Sequence, residues 1–259
     1  MHSGGGFTDR YGPWALVAGA SEGIGAAWAR ALAARGLNLF LVARRAEPLA
    51  ALAGELPTRT VTVAADLSTL DGLEAVYAAT AGHDIGLLVA NAALSPAGSF
   101  VDAEPAALQR MLDLNCRAPL LLARHYLPAM VGRGRGGLII MASLAGQQGS
   151  PGLATYAATK AFDTVLAEGL WGELRRGGVD VLTCTPGAVQ TPGLARASST
   201  RPPGTVDPDT VVAAALRALG RRPRTVPGRL MQVSSVVMSR LLPRRTAINA
   251  MGRASRNLS

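Results

Sequence analysis

Short, fully apolar runs of strand length alternate with longer segments of helical period, and this alternation predicts an α/β fold: one doubly wound domain whose parallel sheet of about seven strands is flanked by helices. Two observations support it. The chain has 259 residues, 49% of them hydrophobic, enough to bury one large core. A glycine-rich stretch, AGASEGIG from Ala18 to Gly25, sits where the first apolar run meets the first helical segment.

The strands are expected near Trp14 to Ala18, Asn38 to Ala43, Thr60 to Ala64, Gly86 to Ala90, Leu138 to Ala142 and Asp180 to Thr183, with a short one near Thr225. Being apolar throughout, they call for a sheet covered on both faces. Helices fill the gaps: Ile24 to Arg35 ended by Gly36, Glu47 to Glu55, Leu70 to Thr80, a long one from about Pro105 to Met130, Thr155 to Arg175 ended by Gly177 and Gly178, and Pro208 to Leu219. Residues 1–220 then form the catalytic body. Within it the Pro- and Ser-rich segment at about 188–210 is irregular and long enough to be a substrate lid.

Residues 221–259 are a basic extension packed on or near the same domain. The net charge of +9 lies at that end: residues 211–259 hold ten arginines and no acid, while the rest of the chain is close to neutral. A solvated basic helix, a cover over the substrate pocket, a subunit contact and peripheral contact with an acidic membrane surface all fit this composition. Aromatic residues for base stacking are absent from 211–259, so no nucleic acid is expected. Cys116 and Cys184 have no CxxC partner, which supports neither a disulfide framework nor a metal site. The start has no apolar leader and no run of 18 apolar residues occurs, so a cytoplasmic setting is expected.

At a strand-to-helix turn, backbone N–H groups and the positive end of a helix dipole make a place for a pyrophosphate. Gly19 allows the tight turn, Gly23 lets backbone approach the anion, and Gly25 lets helix and strand pack closely. The spacing is GxxxGxG rather than GxGxxG, and a purely structural turn is the alternative. At the end of the second strand an acid would bind a ribose 2′-hydroxyl, but Ala43 is followed by Arg44 and Arg45, which suit a 2′-phosphate. The expected cofactor is therefore NADP(H), with NAD(H) second. Glu22 inside the loop opposes this choice.

Ligands bind at the carboxyl ends of such strands. The polar residues there are Asp66, Asn91, Ser143 and the group Pro186, Gly187 and Thr191. Tyr156 and Lys160, four apart on one helical face, follow Ser143. A phenol titrates near 10, and a nearby cation favours its phenolate, which suits acid–base work near neutral pH. Of the 26 basic residues only Lys160 is a lysine, and this points to a place needing a compact ammonium.

Taken in order, AGxxxGxG, Asp66, Asn91-Ala92-Ala93, Asn115, Ser143, Tyr156-x-x-x-Lys160 and Pro186-Gly187 with Thr191 resemble the short-chain dehydrogenase/reductase family over residues 12–195. The resemblance implies a Rossmann fold and an oxidoreductase acting on CH–OH groups. Tyr156 would be the general acid or base, Ser143 would polarise the carbonyl, Lys160 would lower the tyrosine's pKa and hold the nicotinamide ribose, and Asn115 would order a relay water. It further implies that the cofactor lies along Gly19, Ser21, Gly23, Ile24, Gly25, Arg44, Arg45, Asp66, Leu67, Asn91, Ala92, Pro186, Gly187, Val189 and Thr191. Ala18 stands where the family usually has Thr, and Ala90-Asn91-Ala92-Ala93 replaces an NNAG-like motif. The phrases YGPWALVAGASEGIG, LSPAGSF and PGLATYAATKAF are similar to bacterial hydroxysteroid dehydrogenases and 3-oxoacyl reductases, of CoA or carrier-protein type. A bulky hydrophobic ketone or alcohol is thus expected, in a pocket lined by Leu94, Ala145, Gln147 and Leu153. A homodimer or homotetramer is implied too. The rival readings are a non-catalytic nucleotide sensor and a nucleic-acid binder using the basic tail.

Overall fold

A computed structural model describes residues 6–197, 202 and 204–255. Its sheet contains β1 (Trp14–Ala18), β2 (Asn38–Ala43), β3 (Thr60–Ala64), β4 (Ile85–Ala90), β5 (Gly136–Met141), β6 (Val179–Cys184) and β7 (Arg224–Thr225). They lie in the order β3-β2-β1-β4-β5-β6-β7, and every pairing is parallel. The chain winds outward from β1 in one direction and then from β4 in the other. That reversal opens a crevice at the carboxyl ends of β1 and β4.

Alternate residues of the central strands feed two cores. Ala15, Val17, Leu87, Val89 and Ile139 pack against α2 (Gly23–Ala33), α3 (Ala46–Glu55) and α9 (Pro208–Ala218). On the other face Leu16, Leu88, Leu138 and Ile140 pack against α4 (Leu70–Thr80), α6 (Ala118–Arg133) and α7 (Ala154–Leu174). Side chains alternate across a strand, so a strand buried at every position, as β1 and β4 are, requires this double cover.

The strands agree with expectation to within two residues at their ends. The long helix does not run through. It is α5 (Pro105–Leu112), a π-helical turn at Asp113–Arg117, and then α6. Pro119 has no N–H to give the carbonyl of Asn115, while the N–H of Ala118 bonds to the carbonyl of Asp113, five residues back. A proline at this point therefore places Asn115 inside the widened turn. Gly134, at φ +66°, ends α6.

Four helices lie beyond those expected in the body. α1 (Phe7–Tyr11) precedes the sheet, α8 (Pro192–Ala197) lies in the segment read as an irregular lid, and the basic extension forms α10 (Arg229–Val236), a π-helical turn at Val237–Leu241 and α11 (Arg244–Ser255). Residues 198–201 and 203 of the lid reading lie outside the described residues. Among the described residues no helix is long and apolar enough to cross a membrane.

Asp180 on β6 anchors α1. Its Oδ2 accepts from Arg10 Nε at 2.5 Å and from the Tyr11 hydroxyl at 2.6 Å. Burial and this carboxylate together push the Tyr11 phenol well up from its ordinary value, so it stays a donor. Replacing Asp180 by Ala strands both partners and should lower stability by about 2–3 kcal/mol, read from the urea midpoint; Asp180→Asn, which can still accept from Tyr11, should cost less.

Candidate active site

The glycine turn joins β1 to α2 with almost no spare room. A Cβ on Gly25 would lie 1.9 Å from the carbonyl oxygen of Gly19, and one on Gly19, at φ +76°, would lie 2.8 Å from Cα of Ala92. Asn91 braces this approach from β4 by donating through Nδ2 to the carbonyls of Gly19 (3.0 Å) and Ala18 (3.3 Å). On the far side, Thr191 packs its methyl group where a Cβ on Gly23 would go, so the 186–191 segment borders the same cradle. Pro186 is held there by a bond from the N–H of Leu144 to its carbonyl, and Val189 by a bridge to Val206.

Glu22 occupies the cap position of α2 but makes no capping bond. Its carboxylate pairs instead with Arg45, at 2.7 Å, and with Arg196 on α8. The Arg196 bond foremost, and Arg45 beside it, hold the Glu22 carboxyl below the usual range. The first N–H groups of α2 are thus left without a side-chain acceptor, while the acid's charge is balanced. Both circumstances fit the phosphates of a dinucleotide.

Beside the cradle, Arg44 is exposed and makes no hydrogen bond to a described residue. Asp66 after β3 accepts from the N–H (3.0 Å) and hydroxyl (2.7 Å) of Ser68 and from Arg110 on α5 (2.5 Å). Partial burial works against its charge, but the Ser68 bonds and the guanidinium charges of Arg110 and Arg44 prevail and hold its carboxyl low. Leu67 is buried beneath it. Ser21 and Ile24 are half-buried at the mouth of the turn.

At the reacting end, Ser143 follows β5 and its Oγ accepts the N–H of Ala145 at 3.2 Å, leaving the hydroxyl proton to donate elsewhere. Tyr156 and Lys160 share one face of α7, with Lys160 Nζ 6.0 Å from the centre of the phenol ring. Among the described residues nothing hydrogen-bonds the Tyr156 hydroxyl. Lys160 is only 3% exposed. Its ammonium donates to the carbonyl of Met141 (2.8 Å) and to Asp163 Oδ2 (2.9 Å). Asn115 is buried in its π-helical turn, where Oδ1 accepts from the N–H of Leu94 (2.8 Å) and Nδ2 donates to the Leu94 carbonyl (2.8 Å) and to Thr159 Oγ1 (3.1 Å). Its side chain ties the loop after β4 to α7.

The four expected pocket residues fall on two loops that meet. The N–H of Gly98 donates to the carbonyl of Gly152, joining the Leu94 loop to the loop carrying Ala145, Gln147 and Leu153. A cleft of about 360 Å³ opens between Leu94–Pro96, α5 and α8, with Arg110 and Arg196 at its rim. The opposite wall of these loops is built by the basic extension, for which covering the pocket was one of the placements open from sequence. Gln147 Nε2 donates to Ser235 Oγ on α10 (2.5 Å), Arg244 donates to the Gln147 carbonyl (2.8 Å), Ile248 approaches Gly149, and Met231 lies over Gly187. The basic extension therefore covers the loops beside Tyr156. Met231 and Ser235, four apart on α10, face inward together, and Ile248 joins them from α11.

A doubly wound sheet with a glycine cradle at its switch point and a Tyr/Lys pair on the adjoining helix defines a nicotinamide-dinucleotide class of oxidoreductase architecture. A sequence model of the family described as short chain dehydrogenase matches residues 13–202. The chain is 36% identical over 190 residues to the 7beta-hydroxysteroid dehydrogenase of Collinsella aerofaciens, covering 72% of each. It is 37% identical over 179 residues to the very-long-chain 3-oxoacyl-CoA reductase of Podospora anserina, covering 66% of this chain and 53% of that one. A solved structure from a study of 7beta-hydroxysteroid dehydrogenase stereoselectivity superposes with a TM-score of 0.90 at 31% identity, over 96% of this chain and all of the other. A short-chain dehydrogenase from Sphingobium yanoikuyae, in complex with NADPH, gives 0.76 at 34% identity over 83% and 87%. This protein belongs to the short-chain dehydrogenase/reductase family, whose members are oxidoreductases acting on CH–OH groups with a nicotinamide cofactor.

The cradle gives a direct test of its own closeness. Gly25→Ala must push α2 off the turn, so we expect at least tenfold weaker binding of nicotinamide dinucleotide by calorimetry, with stability lowered by about 1–3 kcal/mol.

Proposed function

We propose that the protein is an NADP(H)-dependent oxidoreductase that interconverts a bulky hydrophobic ketone, of the hydroxysteroid class, with its secondary alcohol. The observation that carries the reading is the placement of Tyr156, whose hydroxyl has no hydrogen-bond partner among the described residues, beside the buried Lys160 ammonium, which bonds the carbonyl at the carboxyl end of β5, two residues before Ser143. Bound along the cradle, the cofactor supplies or takes up the hydride. Every other part of the reaction falls to the chain's own groups.

Gly19, Ser21, Gly23, Ile24 and Gly25 would face the pyrophosphate, with Asp66 and Leu67 at the adenine, Asn91 and Ala92 behind the turn, and Pro186, Gly187, Val189 and Thr191 against the nicotinamide. Ser143 Oγ–H would donate to the substrate oxygen, and Tyr156 would hand a proton to that oxygen in reduction or take it in oxidation. Lys160 lends positive charge beside the phenol, which favours the phenolate needed for oxidation. Asn115 fixes the Leu94 loop against α7 and so fixes the pocket floor. The relatives' printed activities support a large apolar substrate, and the loops beside Tyr156 offer Leu94, Ala145 and Leu153 to it.

Cofactor choice rests on Arg44. Glu22, the residue that seemed to oppose a 2′-phosphate, is neutralised by Arg45 and Arg196, and so repels little. A homodimer or homotetramer belongs to the same reading: Leu112, Leu120, Phe162 and Val165 leave apolar surface exposed on the α5, α6 and α7 side.

Two measurements decide the matter. Oxidation of NADPH, followed by absorbance over a panel of steroid, acyl-CoA and simple aromatic ketones, should give turnover with the bulky ketones and fall at least 100-fold in Tyr156→Phe. Turnover with no ketone, or a variant equal to wild type, sinks the assignment, and preference for acyl-CoA substrates would move it to 3-oxoacyl reduction. Arg44→Ala should weaken NADPH about tenfold or more while leaving NADH nearly unchanged, whereas Glu22→Gln should favour NADPH slightly.

A further inference from the structure

A carboxylate buried beneath the reacting end has no part in the roles assigned so far. Asp163 lies one turn beyond Lys160 on α7, is 1% exposed, and faces the ammonium at 2.9 Å. We propose that Asp163 is a positioning residue, the counter-charge that fixes the Lys160 ammonium under Tyr156 and keeps it a cation there. The proposal rests on the reading of Tyr156 and Lys160 given above.

The geometry is specific. An ammonium has three protons in tetrahedral array, and two are committed: one to the Met141 carbonyl at the end of β5, one to Asp163 Oδ2. These two bonds come from different elements and fix the nitrogen in space, so the third proton has one direction left. A lysine held by one bond, or by none, would swing on its four-carbon stem. The need for a compact tetrahedral donor also explains why this chain, which uses arginine at its 25 other basic positions, has lysine at 160.

The energetics require a partner. An ammonium sealed from water is costly unless paired, and an unpaired buried lysine sheds its proton instead. Burial pushes Lys160 down, but Asp163 outweighs it and holds the ammonium above the ordinary lysine value. The other titratable groups that bear on Lys160 are Tyr156 on its own helix and Cys116 in the π-helical turn. The Cys116 thiol is pushed up to about 11, first by burial and then by Asp163, and so remains neutral in the working range. Across from α7, β5 presents the Met141 carbonyl, an uncharged acceptor. Asp163 is therefore the one carboxylate that compensates the charge among the described residues. Among the described residues its Oδ1 has no hydrogen-bond partner, so the pairing with Lys160 is its one polar contact there.

Because Lys160 is the only lysine, protein grown on lysine labelled with ¹³C at Cε gives one side-chain signal. In wild type, without cofactor or substrate, that signal should remain that of the charged form through pH 10.5, where a solvated lysine is about half titrated. In Asp163→Asn its midpoint should fall by roughly 2 units or more. If the wild-type signal titrates at or below 10.5, or the variant titrates with wild type, the pairing is wrong; the wild-type arm holds even if the variant does not fold. The second readout is kcat against pH in the alcohol-oxidising direction, where Asp163→Asn should acquire a loss of activity on the alkaline side that wild type lacks, as Lys160 gives up its charge. A shifted resonance with an unchanged pH profile would make Asp163 merely structural and overturn the proposal. Absence of turnover with any ketone, with the resonance behaving as expected, would instead count against the assigned reaction and leave the ion pair standing.

Discussion

One buried positive charge organises the centre of this molecule. Removing an ammonium from water costs several kcal/mol, and breaking such a pair by deleting one partner typically costs about 3–5 kcal/mol. The fold must therefore bring a carbonyl from β5 and a carboxylate from α7 to the same point beneath the sheet edge. That demand ties α7, which carries Tyr156, to the end of β5, just before Ser143. A small displacement of α7 would leave either the ammonium unsatisfied or the tyrosine misplaced. The geometry of the proposed catalytic group and the stability of the core are here the same constraint.

A second group of charges works at the surface. Glu22, Arg45 and Arg196 join the glycine turn, the end of β2 and α8, three places brought together only by the winding of the sheet. Each member is partly exposed, so the bridge contributes little to stability. Its effect is local: it quenches a carboxylate where a dianionic phosphate is proposed to sit, and it holds α8 against the cradle. The basic extension acts from the other side, with α10 and α11 closing over Gly149, Gln147 and Gly187. The inner face of that extension is used for packing, while Leu230, Val233, Val236 and Leu241 remain exposed on its outside.

Much of this was legible in the sequence, for identifiable reasons. The strands could be read because a sheet covered on both faces needs unbroken apolar runs, and Trp14–Ala18 or Ile85–Ala90 have no other use. The glycine turn could be read because Gly25 answers to a backbone contact within one βα unit, whereas the crowding of Gly19 by Ala92 comes from β4 and is visible only in the fold. The break in the long helix was missed although its cause was printed in the chain: Pro119 withdraws the donor that Asn115 would need for a continuous α-helix. Asp163 lay in view as well, three residues after Lys160, but spacing says only that two side chains share a helix face. Whether that face is wet or sealed depends on β5. The Glu22 bridge was beyond reach in principle, since Arg196 is 174 residues away in sequence and meets it only after the sheet has formed.

The scarcity of lysine has a consequence outside the cleft. A protease that cuts only after lysine finds one peptide bond in the whole chain, Lys160–Ala161, in the middle of α7 and with the lysine side chain closed off from solvent. It can reach that bond only when α7 has come away from the sheet, so cleavage into two pieces of known length records uncovering of the sheet rather than fraying of loops or ends. Any molecule that settles against Tyr156 and holds α7 down will slow the cut in proportion to how firmly it binds. The chain thus carries at its centre a sparing internal gauge of its own integrity.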